Sequence, residues 1–112
     1  MAVAYSNNGL QLNSYRTNSV VGLTPSELVL KLYDMGLSAL AARDGQRASR
    51  VLAQLIEGLD FRYQEIAFGL FRLYRYCLDE IKKGEYDEPT RILRELRETW
   101  ARALSSSGGA AL

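Results

Sequence analysis

The sequence predicts an all-α protein: an antiparallel up-and-down four-helix bundle with an N-terminal arm. Three observations predict it. Apolar side chains recur at i, i+3, i+4 and i+7 through four separate stretches. Helix start and stop residues punctuate those stretches. The connections between them are short, which leaves consecutive helices adjacent and reversed in direction.

Residues 1 to 23 are rich in Asn, Ser and Gly with scattered apolar side chains, and read as a flexible arm ending in VVGL. The strongest boundary follows. Thr24 is placed to cap a helix, Pro25 suits its first position, and Glu27 is placed to bond back to Thr24. This first helix runs to about Ala42, where ARDG supplies a turn with Gly45 available for a left-handed residue. In the second helix, Ala48, Val51, Leu52, Leu55, Ile56 and Leu59 form one seam opposite Arg47, Arg50, Gln54 and Glu57.

The third helix is expected from Asp60, as its cap, to Lys83, with Lys82 and Lys83 suiting the last turn before Gly84. Pro89 restarts the chain after KKGEYDE. The fourth helix then carries Ile92, Leu93, Leu96, Trp100 and Leu104 on one face and Arg and Glu on the other. The bundle thus spans 24–104, and the tail 105–112, SSSGGAAL, reads as disordered.

At 112 residues, 47% hydrophobic and 24% charged, the chain has the size and composition of one domain with a real core. A net charge of +1 gives no bulk attraction to nucleic acid or an anionic membrane. No run is long enough to span a bilayer, and MAVAYSNNG lacks the basic start and apolar core of a signal peptide, so a cytoplasmic address is expected. The single cysteine, Cys77, cannot form an internal disulfide, in keeping with a reducing compartment.

Catalytic chemistry finds no foothold. Histidine is absent, which removes the common zinc and di-iron ligand sets and the usual base for a cysteine nucleophile. Cys77 lies on the apolar seam of the third helix, Asp79 and Glu80 point in different directions, and there is no glycine-rich phosphate loop. No catalytic residue, cofactor or metal is therefore expected. The arginines Arg91, Arg94, Arg97 and Arg102 alternate with Glu95 and Glu98, the pattern of a solvated, salt-bridged face, with Arg94 and Glu98 at i, i+4 spacing.

The unusual feature is an apolar surplus. At 100° per residue, Glu27, Lys31, Asp34 and Ser38 collapse into one stripe of the first helix and leave an apolar arc of ~300°, against ~100° for an ordinary surface helix. In the third helix only Arg72 and Arg75 are charged between Ile66 and Leu78; Phe68 falls inside the polar arc, with Phe71 and Tyr76 flanking it. Two readings follow. Either the first helix is simply the most buried one, or the surplus is a groove for an amphipathic client segment. Leu30, Tyr33, Leu37, Phe68 and Phe71 are the expected groove residues, with Tyr15, Val20 and Val21 of the arm covering it when it is empty.

Three segments, in order, carry a family resemblance: YRTNSV at 15–20, TPSELVLKLYDMGL at 24–37 and LRELRETWARAL at 93–104. Together they resemble the flagellar secretion chaperone FliS family, over about residues 15 to 104. The resemblance implies a cytosolic bacterial export chaperone that binds the disordered C-terminal segment of flagellin. Such a chaperone prevents premature polymerisation and assists delivery to the flagellar export apparatus, with the export gate as a further partner. It also assigns Tyr15 to the covering arm. Two features depart from the family pattern. The hairpin through AARDGQRAS is about two helical turns shorter than usual, roughly 10 Å per arm, and the extension before Tyr15 is longer. The rival expectation is a structural or regulatory bundle that self-associates through the first and third helices without a flagellin client. Monomer and homodimer are both compatible with the sequence.

Overall fold

The computed structural model of the chain describes Tyr5 and residues 22–111, the side chains of 106–111 excepted. Four helices make up the described chain: α1 (Pro25–Ala41), α2 (Gly45–Glu57), α3 (Gln64–Lys82) and α4 (Asp87–Ala111). α1 packs against α2 and α4, and α3 packs against the same two, so one core lies between all four. Among the described residues there is no strand, only an isolated antiparallel bridge between Tyr5 and Leu59.

α1 starts as its sequence dictates. The Glu27 amide donates to the Thr24 hydroxyl at 3.1 Å, and the Thr24 amide donates to the Glu27 carboxylate at 2.9 Å, a reciprocal capping box. These bonds hold the Glu27 carboxyl below its ordinary pKa. α1 ends on a left-handed residue, but Gly45 does not supply it. Arg43 takes φ 55°, while the amides of Arg43 and Asp44 close back on the carbonyls of Leu40 and Ala39. The Arg43 guanidinium lies 5.0 Å from the centre of the Tyr86 ring, a cation–π contact that accompanies this unusual backbone. Gly45 instead opens α2, capped by Asp44, where a Cβ would stand 2.8 Å from the Tyr86 hydroxyl and 3.2 Å from Ile81 Cγ2. It is small because α2 begins against the connection between α3 and α4.

With Asp60 as its cap α3 would begin at Phe61; it begins three residues later, at Gln64. The Asp60 carboxylate bonds within its own turn: Oδ1 accepts the Arg62 amide at 3.1 Å, and the Arg62 guanidinium donates to both oxygens, the shorter bond being 2.6 Å. Asp60 heads a single separate turn, closed by the Tyr63 amide on the Asp60 carbonyl at 3.1 Å, and α3 begins only after it, with Tyr63 at its cap position. At the other end Gly84, at φ 78°, terminates α3 as expected, and the Glu85 amide reaches the Glu80 carbonyl. α4 does not stop at Leu104. It continues to Ala111 through the segment expected to be disordered, which contains no proline to interrupt the ladder.

The core answers the question of the first helix. Leu28, Val29, Leu32, Tyr33, Ala39 and Leu40 of α1 are buried, and Leu30, Met35 and Leu37 are partly buried against them. Flanked by α2 and α4, α1 spends its wide apolar arc inside its own chain. Gly36 permits that closeness: a Cβ there would meet Leu93 Cδ1 at 3.0 Å and Val51 Cγ1 at 3.4 Å.

Candidate functional site

Deep in the core, four residues far apart in sequence share one chain of polar contacts. The Tyr5 hydroxyl donates to the Leu55 carbonyl at 2.9 Å, because a carbonyl can only accept. With its one proton so used, Tyr5 accepts from Tyr74 at 3.0 Å, and Tyr74 in turn accepts from Tyr33 at 2.7 Å. The chain therefore runs in one direction, from Tyr33 through Tyr74 and Tyr5 to the last turn of α2. Burial raises all three phenol pKa values well above 10.0, and each ring's proximity to its neighbour adds to the effect. Trp100 packs edge-on against Tyr5 and Tyr33, with ring centres 5.7 and 6.3 Å apart, and its indole N–H donates to the Ser26 carbonyl at 2.9 Å.

This places Tyr33 in the core, where the sequence suggested a surface anchor for a client. Its ring is 0% exposed, because its hydroxyl has a buried partner in Tyr74 and so need not reach water. Tyr15, Val20 and Val21 lie outside the described residues. Tyr5, in the stretch before Tyr15 whose role the sequence left unassigned, is the N-terminal residue seen to enter the core. Its only local signal is an aromatic ring in a polar stretch, and no periodicity marks it.

The surface is uneven. Among the described residues, every large apolar side chain found exposed lies between positions 61 and 76: Phe61, Tyr63, Ile66, Phe68, Leu73 and Tyr76. They fall on two flanks. On one, Phe61 packs against Phe68 with ring centres 5.1 Å apart and against Phe71 at 6.3 Å, while Phe68 stays 44% exposed. Such a cluster gives up its remaining water contact readily to an apolar partner. On the other, Leu73 and Tyr76 border a shallow cleft of about 300 Å³ shared with Ile92 and Leu96 of α4 and rimmed by Glu88, Arg91 and Glu95.

The expected groove is therefore not one surface. Phe68 and half-buried Phe71 come together, and Phe61, which the sequence did not single out, joins them. Leu30 and Leu37 stand on α1, across the core from α3, and are half-buried there.

Burial pushes the Cys77 thiol up to about 12, so it is not a nucleophile near neutral pH. Among the described residues no three His, Cys, Asp or Glu side chains are grouped to hold a metal ion, and no helix is long and apolar enough to cross a membrane. The arginines of α4 are partly occupied. Arg91 is clasped by Glu88 and Glu95 at 2.8 and 2.6 Å, and Arg97 reaches Asp34 of α1 at 2.6 Å. The expected pair of Arg94 with Glu98 is not formed.

Compared with family models, with curated proteins and with solved structures, the chain matches none.

Proposed function

We propose that this protein is a client-holding chaperone: an antiparallel up-and-down bundle whose α3 face receives an apolar segment of a partner protein. The antiparallel arrangement is supported by the order of contacts. Along α1, Ser26 meets Trp100 and Gly36 meets Leu93, so α4 runs the opposite way, and the start of α2 at Gly45 meets the end of α3 at Ile81. The observation that carries the functional reading is the Phe61, Phe68 and Phe71 cluster, left open while the described residues of the other helices expose no large apolar side chain. A client that orders only on binding loses conformational entropy, and burial of such rings offsets that loss.

By the likeness of its three segments to the FliS family, the client is the C-terminal segment of flagellin, held unpolymerised in the bacterial cytosol and passed to the export apparatus. The holding is physical and uses no covalent chemistry, cofactor or metal. The test is a fluorescence anisotropy titration with a labelled flagellin C-terminal peptide. Saturable binding that weakens about tenfold, ~1.4 kcal/mol, in Phe68→Ser supports the reading. No binding, or binding indifferent to Phe68 and Phe61, sinks it.

A further inference from the structure

Gly69 has no explanation within its own chain. It sits in the middle of α3, where glycine weakens a helix, yet a Cβ at this position would meet nothing within 4 Å. Its backbone φ is not in the left-handed region either, since among the described glycines only Gly22 and Gly84 have positive φ. A mid-helix glycine facing open space is useful when another backbone comes close from outside, because helix axes approach most nearly where no side chain intervenes.

The residues around Gly69 fit one particular visitor. At helical spacing, Glu65, Ile66, Arg72, Leu73 and Tyr76 share its face of α3, and Ile66, Leu73 and Tyr76 are exposed apolar side chains. Glu65 and Ile66 lie one turn before the glycine, and Arg72 and Leu73 one turn after it. Among the described residues, neither Glu65 nor Arg72 has an ion-pair partner, whereas Arg62, Lys83, Arg91 and Arg97 are all paired.

We infer that this face is a self-association surface, on which α3 of a second copy crosses antiparallel at Gly69. A two-fold axis beside Gly69 sets Ile66 of each copy against Leu73 of the other, and Glu65 against Arg72. Each contact occurs twice, as an isologous interface requires. The pattern is complementary in charge as well as in apolar character, which is the reason to favour a second copy over an unrelated helix. A contact made by one helix from each chain belongs to the small class of interfaces, so the dimer is weak, with a dissociation constant on the order of tens of micromolar. This face is distinct from the Phe61, Phe68 and Phe71 cluster, and the inference does not depend on the client.

Sedimentation equilibrium over about 5 to 500 µM brackets that constant. The full chain is expected to shift from one-chain to two-chain mass across the range. Glu65→Arg alone and Arg72→Glu alone should each raise the dissociation constant about tenfold, and the double reversal should restore it to within about threefold. Gly69→Leu should abolish the dimer while leaving helix content by circular dichroism intact. A chain that stays at one-chain mass throughout overturns the inference, as does a dimer indifferent to both single reversals or one that the double reversal does not rescue. The flagellin peptide titration, repeated on Glu65→Arg, keeps the two readings apart: its outcome is expected to match the unaltered chain whatever the mass measurement gives.

Discussion

The hydroxyl of Tyr5 caps the carbonyl of Leu55, fifty residues away in sequence, at 2.9 Å. Leu55 lies in the last turn of α2, where helix carbonyls run out of donors. Its own i+4 donor, the Leu59 amide, turns to the Ile56 carbonyl instead. One N-terminal side chain thus closes the end of α2 and fills the space beside Trp100.

Tyr5→Ala should therefore cost about 3 to 5 kcal/mol, the range for emptying an aromatic site in a core. Tyr5→Phe should cost only about 1 to 2 kcal/mol, since the ring stays and a hydrogen bond is lost. Urea denaturation separates the two. Equal losses in both variants would show that the ring's packing against Trp100 contributes little.

The one-way proton order of the tyrosine chain predicts a ranking. Tyr74→Phe leaves the Tyr33 hydroxyl as a buried donor without an acceptor, at about 1 to 3 kcal/mol, whereas Tyr33→Phe removes the first donor and strands none, at about 0.5 to 1.5 kcal/mol. Denaturation midpoints of the two variants check the order. A costlier Tyr33→Phe would mean that the chain runs the other way.

Alkaline pH should unfold the protein in a way these phenols control. Their folded pKa values are raised above 10.0, so above about pH 10 the unfolded chain releases protons that the folded chain retains. Their contribution is fully present below that pH and is lost as pH rises, by up to about 1.4 kcal/mol per pH unit for each buried phenol. Cys77, raised from 9.0 to about 12, begins the same loss near pH 9. The check is urea denaturation between pH 8 and 11, repeated on Tyr74→Phe, whose slope above pH 10 should be shallower. A flat profile across that window would refute the assignment.

Two glycines in helix interiors should respond with opposite signs to the same change. At Gly69 the added methyl meets open space, so Gly69→Ala should stabilise the monomer by up to about 1 kcal/mol through helix propensity. At Gly36 it meets Leu93 at 3.0 Å and Val51 at 3.4 Å, so overpacking should outweigh the same gain and leave a net loss of about 1 kcal/mol. Thermal melts at micromolar concentration, where the monomer dominates, test both.

Phe68 and Tyr33 were grouped by sequence and should now separate. Phe68→Ser, at a half-exposed ring, should change stability by less than about 1 kcal/mol, while Tyr33→Ala, in the sealed core, should cost at least about 3 kcal/mol. Binding of an apolar dye to the native protein should fall in Phe68→Ser. Comparable destabilisation by the two would remove the distinction between core and surface.

Much of the chain was legible in its residues because the interactions concerned are local. The capping box at Thr24 and Glu27 and the stop at Gly84 lie within one or two turns and follow from side-chain chemistry alone. The start of α3 lies later than Asp60 suggests because Asp60 heads a separate single turn, closed by the Tyr63 amide on its own carbonyl, and the helix follows that turn. Gly45 was misjudged because its smallness answers a neighbour forty-one positions away, Tyr86, and not its own backbone.

The periodicity by itself determined that there are four helices and that two of them, α1 and α3, carry surplus apolar surface. Only the tertiary structure decided what becomes of that surplus. α1 is hidden because α2 and α4 close on it at Gly36, and because the Tyr33 hydroxyl finds Tyr74; α3 keeps rings and aliphatic side chains in water because nothing in the described chain covers its outer face. An apolar side chain states in the sequence that it prefers burial, but which surface buries it is a property of how the helices meet.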